Sequence, residues 1–153
     1  MNFYLWIKLV HILSAAVLFG TGMGTAFFML RAYLSQNDEA MMVTTKTVVI
    51  ADWIFTTPAV VIQLATGLWL TSHLNIAFDS SWFVAVILLY ALIGLCWIPV
   101  VCIQIRIRNL IAAGARRVDY KNLMRVWTAL GVPAFASLII IFYLMVSRLG
   151  AYG

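Results

Sequence analysis

Four long apolar runs, separated by short polar segments, dominate the chain. Each run exceeds the roughly 20 residues that an α-helix needs to cross a bilayer. A membrane-spanning β-strand takes only about 9–11 residues, so the length of the runs favours helices. The pattern predicts an all-α polytopic membrane protein whose spans cover residues 3–30, 47–72, 82–105 and 123–147.

The polar segments between the runs predict the order of the helices. Residues 31–46 and 106–122 form the first and third connections, with turns expected at 37–40 and 118–120. Connections this short join helices that run in opposite directions. We therefore predict an up-down-up-down bundle of four transmembrane helices, which forms one domain over residues 1–153.

Composition excludes a water-soluble globular protein. Of the 153 residues, 65% are apolar and 10% are charged, whereas soluble domains are about 45–50% apolar and about 25% charged. So few polar groups cannot cover the surface of a soluble domain. We expect a bacterial inner-membrane protein whose main partner is the lipid bilayer.

The net charge of +5 is concentrated in the third connection and at its edges. Short loops rich in Lys and Arg remain cytoplasmic, and anionic headgroups are their usual partners. We therefore expect connections 31–46 and 106–122 to be cytoplasmic, both termini to lie outside, and no nucleic acid to bind. The basic residues of this cluster are Arg106, Arg108, Arg116, Arg117, Lys121 and Arg125.

Small residues on the first helix suggest a packing surface. Gly20 and Gly24 are one helical turn apart, and Ala16 extends the row. Small residues at this spacing let two membrane helices approach closely. A homodimer through the Gly20/Gly24 face is therefore expected.

Two histidines and a lysine are the candidate cofactor ligands. Lys8 and His11 share a face of the first helix, and His73 follows the second apolar run. Counting back from Arg31 places His11 near the outer interface, and His73 lies just beyond the last apolar residues of the second span, also on the outer side. The two histidines are therefore expected at similar depth on neighbouring helices, as a metal centre near the outer surface requires. The alternative is a neutral His11 that is hydrogen-bonded across helices, with Lys8 extending to the surface.

A polar stripe marks the second span. An ionisable residue within a span is a functional hypothesis by default, and Asp52 begins a heptad-like repeat of polar and small side chains that should face the bundle interior. Asp52 has two interpretations: an ion pair with Arg31, Arg106 or Arg125, or a role in handling protons. The stripe consists of Asp52, Thr56, Ala59, Gln63 and Thr66, and Arg31 joins the intramembrane polar set.

Three segments resemble a bacterial family of uncharacterised four-helix predicted integral membrane proteins. They are residues 5–13, 51–59 and 127–133. More distantly, the chain is similar to HemJ-type protoporphyrinogen IX oxidases and CopD-type copper-resistance membrane proteins. The shared positions are Lys8, His11, Arg31, Pro58, Ala59, Gly67 and Pro133. The HemJ resemblance implies that His11 is a haem b ligand.

These features lead to one functional prediction with two alternatives. We expect haem b near the outer face, with His11 as an axial ligand to the haem iron, His73 as the second ligand and Lys8 beside a propionate. The chemistry expected is electron transfer or porphyrin and quinone redox chemistry; the redox partner and any enzymatic activity stay open. The alternatives are a copper-handling protein using His11, His73 and Met23, and a structural or accessory subunit.

Overall fold

All the regular elements of the structure, a computed structural model, are helices. The backbone is described for residues 3–150 and the side chains for residues 3–147, so the termini of the predicted domain 1–153 lie outside the described residues. No strand occurs in the described part, and the all-α prediction is confirmed. The elements are α1 (Phe3–Leu34), α2 (Asp38–Ala51), a π-helical turn (Asp52–Thr56), α3 (Thr57–His73), α4 (Ser81–Ala112) and α5 (Arg117–Gly150).

Four of these helical stretches are long and apolar enough to cross a membrane. They are α1, the continuous stretch Asp38–His73, α4, and α5 as far as Ser147. Short connections reverse the chain between them, so neighbouring stretches run antiparallel. The prediction of four membrane-spanning helices is therefore confirmed.

The helices extend beyond the apolar runs at the end that carries the first and third connections. The connections are shorter than predicted and consist of residues 35–37 and 113–116. The turns predicted at 37–40 and 118–120 are therefore wrong. Asn37 caps α2 by accepting a 3.0 Å hydrogen bond from the Ala40 N–H. Gly114, which follows the end of α4, has a positive φ of +83°. Hydropathy marks only the part of a helix that fits hydrocarbon, whereas backbone hydrogen bonding continues into the interface.

The best-packed part of the molecule lies at this same end, which we call the basic end. Side chains from α1, α2, α4 and α5 form one buried cluster there. Eight of the ten Lys and Arg residues, but only three of the five acids, also lie at this end or in its first turns. The cluster consists of Met29, Ala32, Met41, Val48, Ile107, Ile111, Tyr120, Met124 and Trp127.

Packing between helices is uneven along the bundle. α1 packs on α2, the π turn and α3, while α4 packs on α5 and on α2. Between α1 and α5, Phe19 contacts Phe135 and Phe142 with ring centroids 5.3 and 5.7 Å apart. Away from the basic end, the α1–α3 pair and the α4–α5 pair form two largely separate hairpins, bridged by a 2.7 Å hydrogen bond from Tyr90 Oη to the Val60 carbonyl.

Charged and aromatic residues mark the membrane boundaries on these helices. From Lys46 to Trp69 the distance is about 35 Å, and from Arg106 to Trp82 about 36 Å, at 1.5 Å per residue. Tryptophan is enriched at membrane interfaces and cations flank the hydrocarbon, whose thickness is about 30 Å. The two levels therefore bracket the membrane-embedded region, with Phe3 and Ser147 at the end opposite the basic end.

Candidate functional site

A hydrogen-bonded cluster around His11 joins α1 to α3; we call it the histidine centre, formed by His11, Ser14, Gln63 and Thr66. His11 Nδ1 lies 2.9 Å from Thr66 Oγ1, and His11 Nε2 lies 3.1 Å from Gln63 Nε2. Ser14 Oγ contacts both the His11 carbonyl, at 2.9 Å, and Gln63 Oε1. Both nitrogens of the imidazole therefore have partners on α3.

The partners fix the direction of each hydrogen bond. The Thr66 hydroxyl donates to the Ile62 carbonyl at 2.6 Å, so its oxygen accepts from the Nδ1–H of His11. The Gln63 amide N–H then donates to the bare Nε2, and the amide oxygen accepts from Ser14. With the Gln63 amide in this orientation, the hydrogen bonds are those of a neutral imidazole that carries its proton on Nδ1.

Gly67 allows the imidazole to approach α3 this closely. A methyl group added at Gly67 would lie 3.2 Å from His11 Cε1, whereas nothing lies within 4 Å of the same position at Gly20 or Gly24. The small residue that brings two helices together in this chain is therefore on α3. At Gly20 and Gly24 no such close contact occurs, and the homodimer through the Gly20/Gly24 face stays a prediction.

The structure does not bring the other expected ligands to His11. His73 is exposed and stacks on Trp69 and Tyr4, with ring centroids 4.7 and 5.4 Å away. It lies about 10 Å further along α3 than Thr66, at 1.5 Å per residue, so the expectation of similar depth is wrong. Lys8 instead extends toward the ring of Tyr4, at 5.9 Å.

The structure does not bring together the residues of the copper alternative either. Met23 is 49% exposed and lies about 18 Å along α1 from His11, at 1.5 Å per residue. Among the described residues, no group of three or more His, Cys, Asp or Glu side chains is placed to hold a metal ion. His11 is therefore the only predicted ligand for which binding of haem iron or another metal stays a prediction.

A second polar cluster, which we call the aspartate centre, is formed by Asp52, Thr56, Gln104 and Trp127. The Asp52 side chain is only 5% exposed, and its Oδ1 accepts from the Thr56 hydroxyl at 2.9 Å. With the Gln104 amide oriented to satisfy both of its groups, its N–H donates to Asp52 Oδ2 at 2.8 Å and its oxygen accepts from Trp127 Nε1–H at 3.3 Å. The cluster thus joins the π turn to α4 and α5.

A local departure from α-helical geometry positions Asp52. Residues Asp52–Thr56 form a π turn, closed by the Thr57 N–H and the Thr57 hydroxyl, both of which donate to the Asp52 carbonyl. Pro58 follows directly; its ring would clash with the carbonyl four residues earlier in a regular helix. The wider turn relieves that clash, and π turns are frequent at functional sites.

No cation neutralises Asp52 within the described chain. Arg31 and Arg125 are exposed, and neither they nor Arg106 come within 4.0 Å of the Asp52 carboxylate. The ion-pair interpretation of Asp52 is therefore wrong. The Nε1 of Trp97 is buried without a hydrogen-bond partner, and this indole lies near the same carboxylate.

The two centres lie on one side of the same continuous helix. Asp52, Thr56, Ala59 and Thr66 are buried and Gln63 is half-buried, whereas Arg31 lies apart from them at the end of α1. Asp52 and Gln63 are about 16 Å apart along the helix, at 1.5 Å per residue. The aspartate centre is nearer the basic end and the histidine centre nearer the opposite interface.

Comparison with known proteins gives a family but no activity. Residues 5–149 match the family of predicted integral membrane proteins of unknown function, DUF2269. The chain belongs to this family. No curated protein and no solved structure gives a significant match, so the more distant similarity to HemJ-type and CopD-type proteins stays a prediction from the sequence.

Sequence reasoning missed the partners that complete both centres. Ser14 and Gln104 are polar residues inside predicted spans, and that position is the signal that could have drawn attention to them. Trp127 forms part of the segment that carries the family resemblance, but nothing in its spacing indicated Gln104 as its partner. The π turn has no hydropathy signal, although Pro58 marks where the helix must change.

Proposed function

We propose that this membrane protein handles protons and that Asp52 is the group that takes up and releases them. The observation that carries the proposal is an aspartate that is only 5% exposed inside a membrane bundle. Its close partners among the described side chains are neutral hydrogen-bond donors. Ionisable side chains facing the interior of such bundles are typical of proton relays. The absence of a cation within 4.0 Å removes the structural explanation that an ion pair would supply.

The surroundings of Asp52 make both protonation states accessible. Burial in a low-dielectric interior opposes the negative charge, whereas hydrogen bonds from Thr56 and Gln104 stabilise it. A permanent ion pair would fix the carboxylate in the charged form, and a dry apolar pocket would fix it in the neutral form. This arrangement does neither, and so supports reversible exchange of a proton.

The histidine centre supports a second exchange step near the opposite interface. If a proton binds His11 Nε2, the Gln63 amide can turn so that its oxygen accepts from the ring and its N–H₂ donates to Ser14. The Ser14 hydroxyl then donates to the His11 carbonyl, already 2.9 Å away. A proton is accommodated in this way by reorienting one amide and one hydroxyl, while the helices stay in place.

Infrared difference spectroscopy of the purified protein tests the role of Asp52. A titration of pH should change the carbonyl stretch of a buried carboxylic acid, and this change should vanish in Asp52→Asn, because only Asp52 is buried among the acids. Glu39→Gln is the matched control, since Glu39 is an exposed carboxylate in the first turn of α2. Its spectrum should match the unmodified protein.

Reconstitution in vesicles tests whether proton exchange at Asp52 leads to proton transport across the membrane. An imposed pH gradient, with a potassium ionophore to balance charge, should collapse faster with the unmodified protein than with Asp52→Asn. An infrared spectrum without a titrating buried acid would overturn the proposal. Equal gradient decay for both proteins would overturn proton movement while leaving Asp52 as a titrating group.

Haem b at His11 is the second candidate, and one observation favours it. His11 donates through Nδ1, which leaves the Nε2 lone pair as the atom available to iron, and such a donated Nδ1–H is what fixes a ligating tautomer. The Gln63 amide would have to leave Nε2, and His73 does not fit as the second ligand. A visible absorption spectrum of the purified protein, beside His11→Ala, decides this candidate.

A further inference from the structure

A shallow groove lies between the end of α1 and the first half of α5, at the basic end. It encloses about 390 Å³ and adjoins a second depression of about 270 Å³, with Tyr33 lining both. The linings are Leu30, Tyr33, Leu34, Met124, Arg125, Thr128, Ala129 and Val132 for the first, and Tyr33, Arg117, Val118 and Lys121 for the second.

Positive charge is concentrated at the end of this groove nearest the connection between α4 and α5. Arg117, Lys121 and Arg125 recur every four residues and so lie on one face of α5. The Arg117 guanidinium stacks on the Tyr33 ring at 4.4 Å, which holds it over the groove. None of the three is ion-paired to a described acid, and Asp119, on the other side of α5, instead accepts from the Arg116 backbone N–H at 2.8 Å.

The lining changes from charged to apolar along the groove. Beyond Arg125 the surface of α5 consists of Thr128, Ala129 and Val132, and Leu30 faces them from α1. Arg125 is close to the level at which Lys46 and Arg106 mark the membrane boundary, so the apolar part lies at the level of hydrocarbon. A phosphate at the charged part and an acyl chain along the apolar part match this order.

We propose that the groove binds one anionic phospholipid. The phosphodiester lies against Arg117, Lys121 and Arg125, and an acyl chain follows Thr128, Ala129 and Val132. Charge complementarity and the position of the groove across the interface both select a lipid over a soluble anion, because a soluble anion would leave the apolar part empty. The site is separate from the two polar centres and does not depend on the proposed function.

Native mass spectrometry and thermal unfolding of the detergent-purified chain test the proposal. Titration with phosphatidylglycerol should give a one-to-one complex and raise Tm, whereas phosphatidylcholine and inorganic phosphate should do neither at the same concentrations. Each basic residue near a membrane surface contributes roughly a fivefold factor in affinity for anionic lipid. The triple variant Arg117→Gln, Lys121→Gln, Arg125→Gln should therefore bind phosphatidylglycerol about a hundredfold more weakly.

Two further variants separate the groove from surface charge in general. Arg106→Gln, Arg108→Gln, Arg116→Gln removes the same charge from the same end and should leave the one-to-one complex intact. Ala129→Trp, at an exposed position, fills the apolar part without changing charge and should abolish the complex while the lipid-free Tm stays the same.

Three results would overturn the proposal. Equal weakening by both triple variants would assign binding to the charge of the whole basic end. A complex that survives Ala129→Trp would exclude the acyl part of the site. Stabilisation by inorganic phosphate as strong as that by phosphatidylglycerol would make this an anion site rather than a lipid site.

Discussion

At the scale of single residues, hydrogen-bond direction distinguishes the two polar centres. At the histidine centre the Thr66 oxygen and the Gln63 amide N–H occupy the two nitrogens of the imidazole, as in a neutral ring with its proton on Nδ1. At the aspartate centre, Thr56 and Gln104 both donate to one carboxylate, and no cation lies close to it. The first arrangement links α1 to α3, whereas the second surrounds a buried carboxylate with neutral hydrogen-bond donors.

Replacing Thr66 with Val should weaken the contact between α1 and α3. The variant keeps the shape of the side chain but removes the acceptor for His11 Nδ1–H. Hydrogen bonds between membrane helices contribute about 0.6 kcal/mol on average and at most about 1.7 kcal/mol, so we expect a loss of about 1 kcal/mol in the free energy of unfolding. Reversible unfolding in mixed detergent micelles measures it.

Thr71→Val is the matched control for this change. Thr71 is also buried, at 6% exposure against 9% for Thr66, but its hydroxyl donates only to the Gly67 carbonyl of its own helix, at 2.8 Å. Its replacement should cost clearly less. Equal losses for the two variants would mean that the bond between His11 and Thr66 contributes nothing to the helix contact.

At the scale of the helices, one close approach and one irregular turn define the sites. Gly67 allows α3 to pass under the His11 ring, and the π turn before Pro58 directs the Asp52 side chain toward α4 and α5. Both features lie on the continuous stretch Asp38–His73. The second membrane crossing therefore supplies residues to both centres, while α1 serves the histidine centre and α4 and α5 serve the aspartate centre.

Gly67→Ala should lower stability relative to the same substitution at Gly131. Alanine gains about 0.5–1 kcal/mol over glycine in a helix at either position, so this gain cancels in the comparison. The new methyl lies 3.2 Å from His11 Cε1 at Gly67 but meets nothing within 4 Å at Gly131. The ring is fixed at both nitrogens and cannot move aside freely, so overpacking should cost about 1–3 kcal/mol.

Unfolding midpoints of the two alanine variants, measured side by side in detergent, check this comparison. A Gly67→Ala protein as stable as Gly131→Ala would show that the His11 imidazole moves aside without a loss of stability. The histidine centre would then be loosely held, and its two hydrogen bonds with α3 would not fix the position of the ring.

At the scale of the whole molecule, packing and charge share one polarity. The main buried cluster and most of the basic residues lie at the basic end, whereas toward the chain termini the structure divides into two hairpins. The helices are therefore anchored at one interface and less constrained at the other. This asymmetry leaves the groove between α1 and α5 open at the level of the headgroups.

The basic end should face the cytoplasm, because short Lys- and Arg-rich connections are retained there. Single cysteines at Ala113 and Ala77, both exposed and at opposite ends, test this in a Cys96→Ala, Cys102→Ala background. A membrane-impermeant maleimide added to intact cells should label Ala77→Cys alone. Labelling of Ala113→Cys alone would show that the protein has the opposite orientation. Lysed cells provide the control, in which both cysteines react.

The number and type of the membrane crossings, and the inward side of the second crossing, follow from the pattern of residues along the chain. Apolar runs longer than a bilayer is thick allow only helices, and the spacing of Asp52, Thr56 and Thr66 follows the helical repeat. The helix ends did not follow from the sequence, because hydropathy measures solvation in hydrocarbon, whereas a helix ends where capping and backbone geometry end it.

Which polar groups contact one another depends on how the helices pack. The relative depth of His11 and His73 depends on how α1 and α3 are aligned, and the local pattern of neither helix contains that alignment. Gln104 and Trp127 reach Asp52 because α4 and α5 pack against the second crossing near the π turn. The basic residues thought to pair with Asp52 remain outside the bundle, since pairing there would require them to leave the interface and lose their hydration.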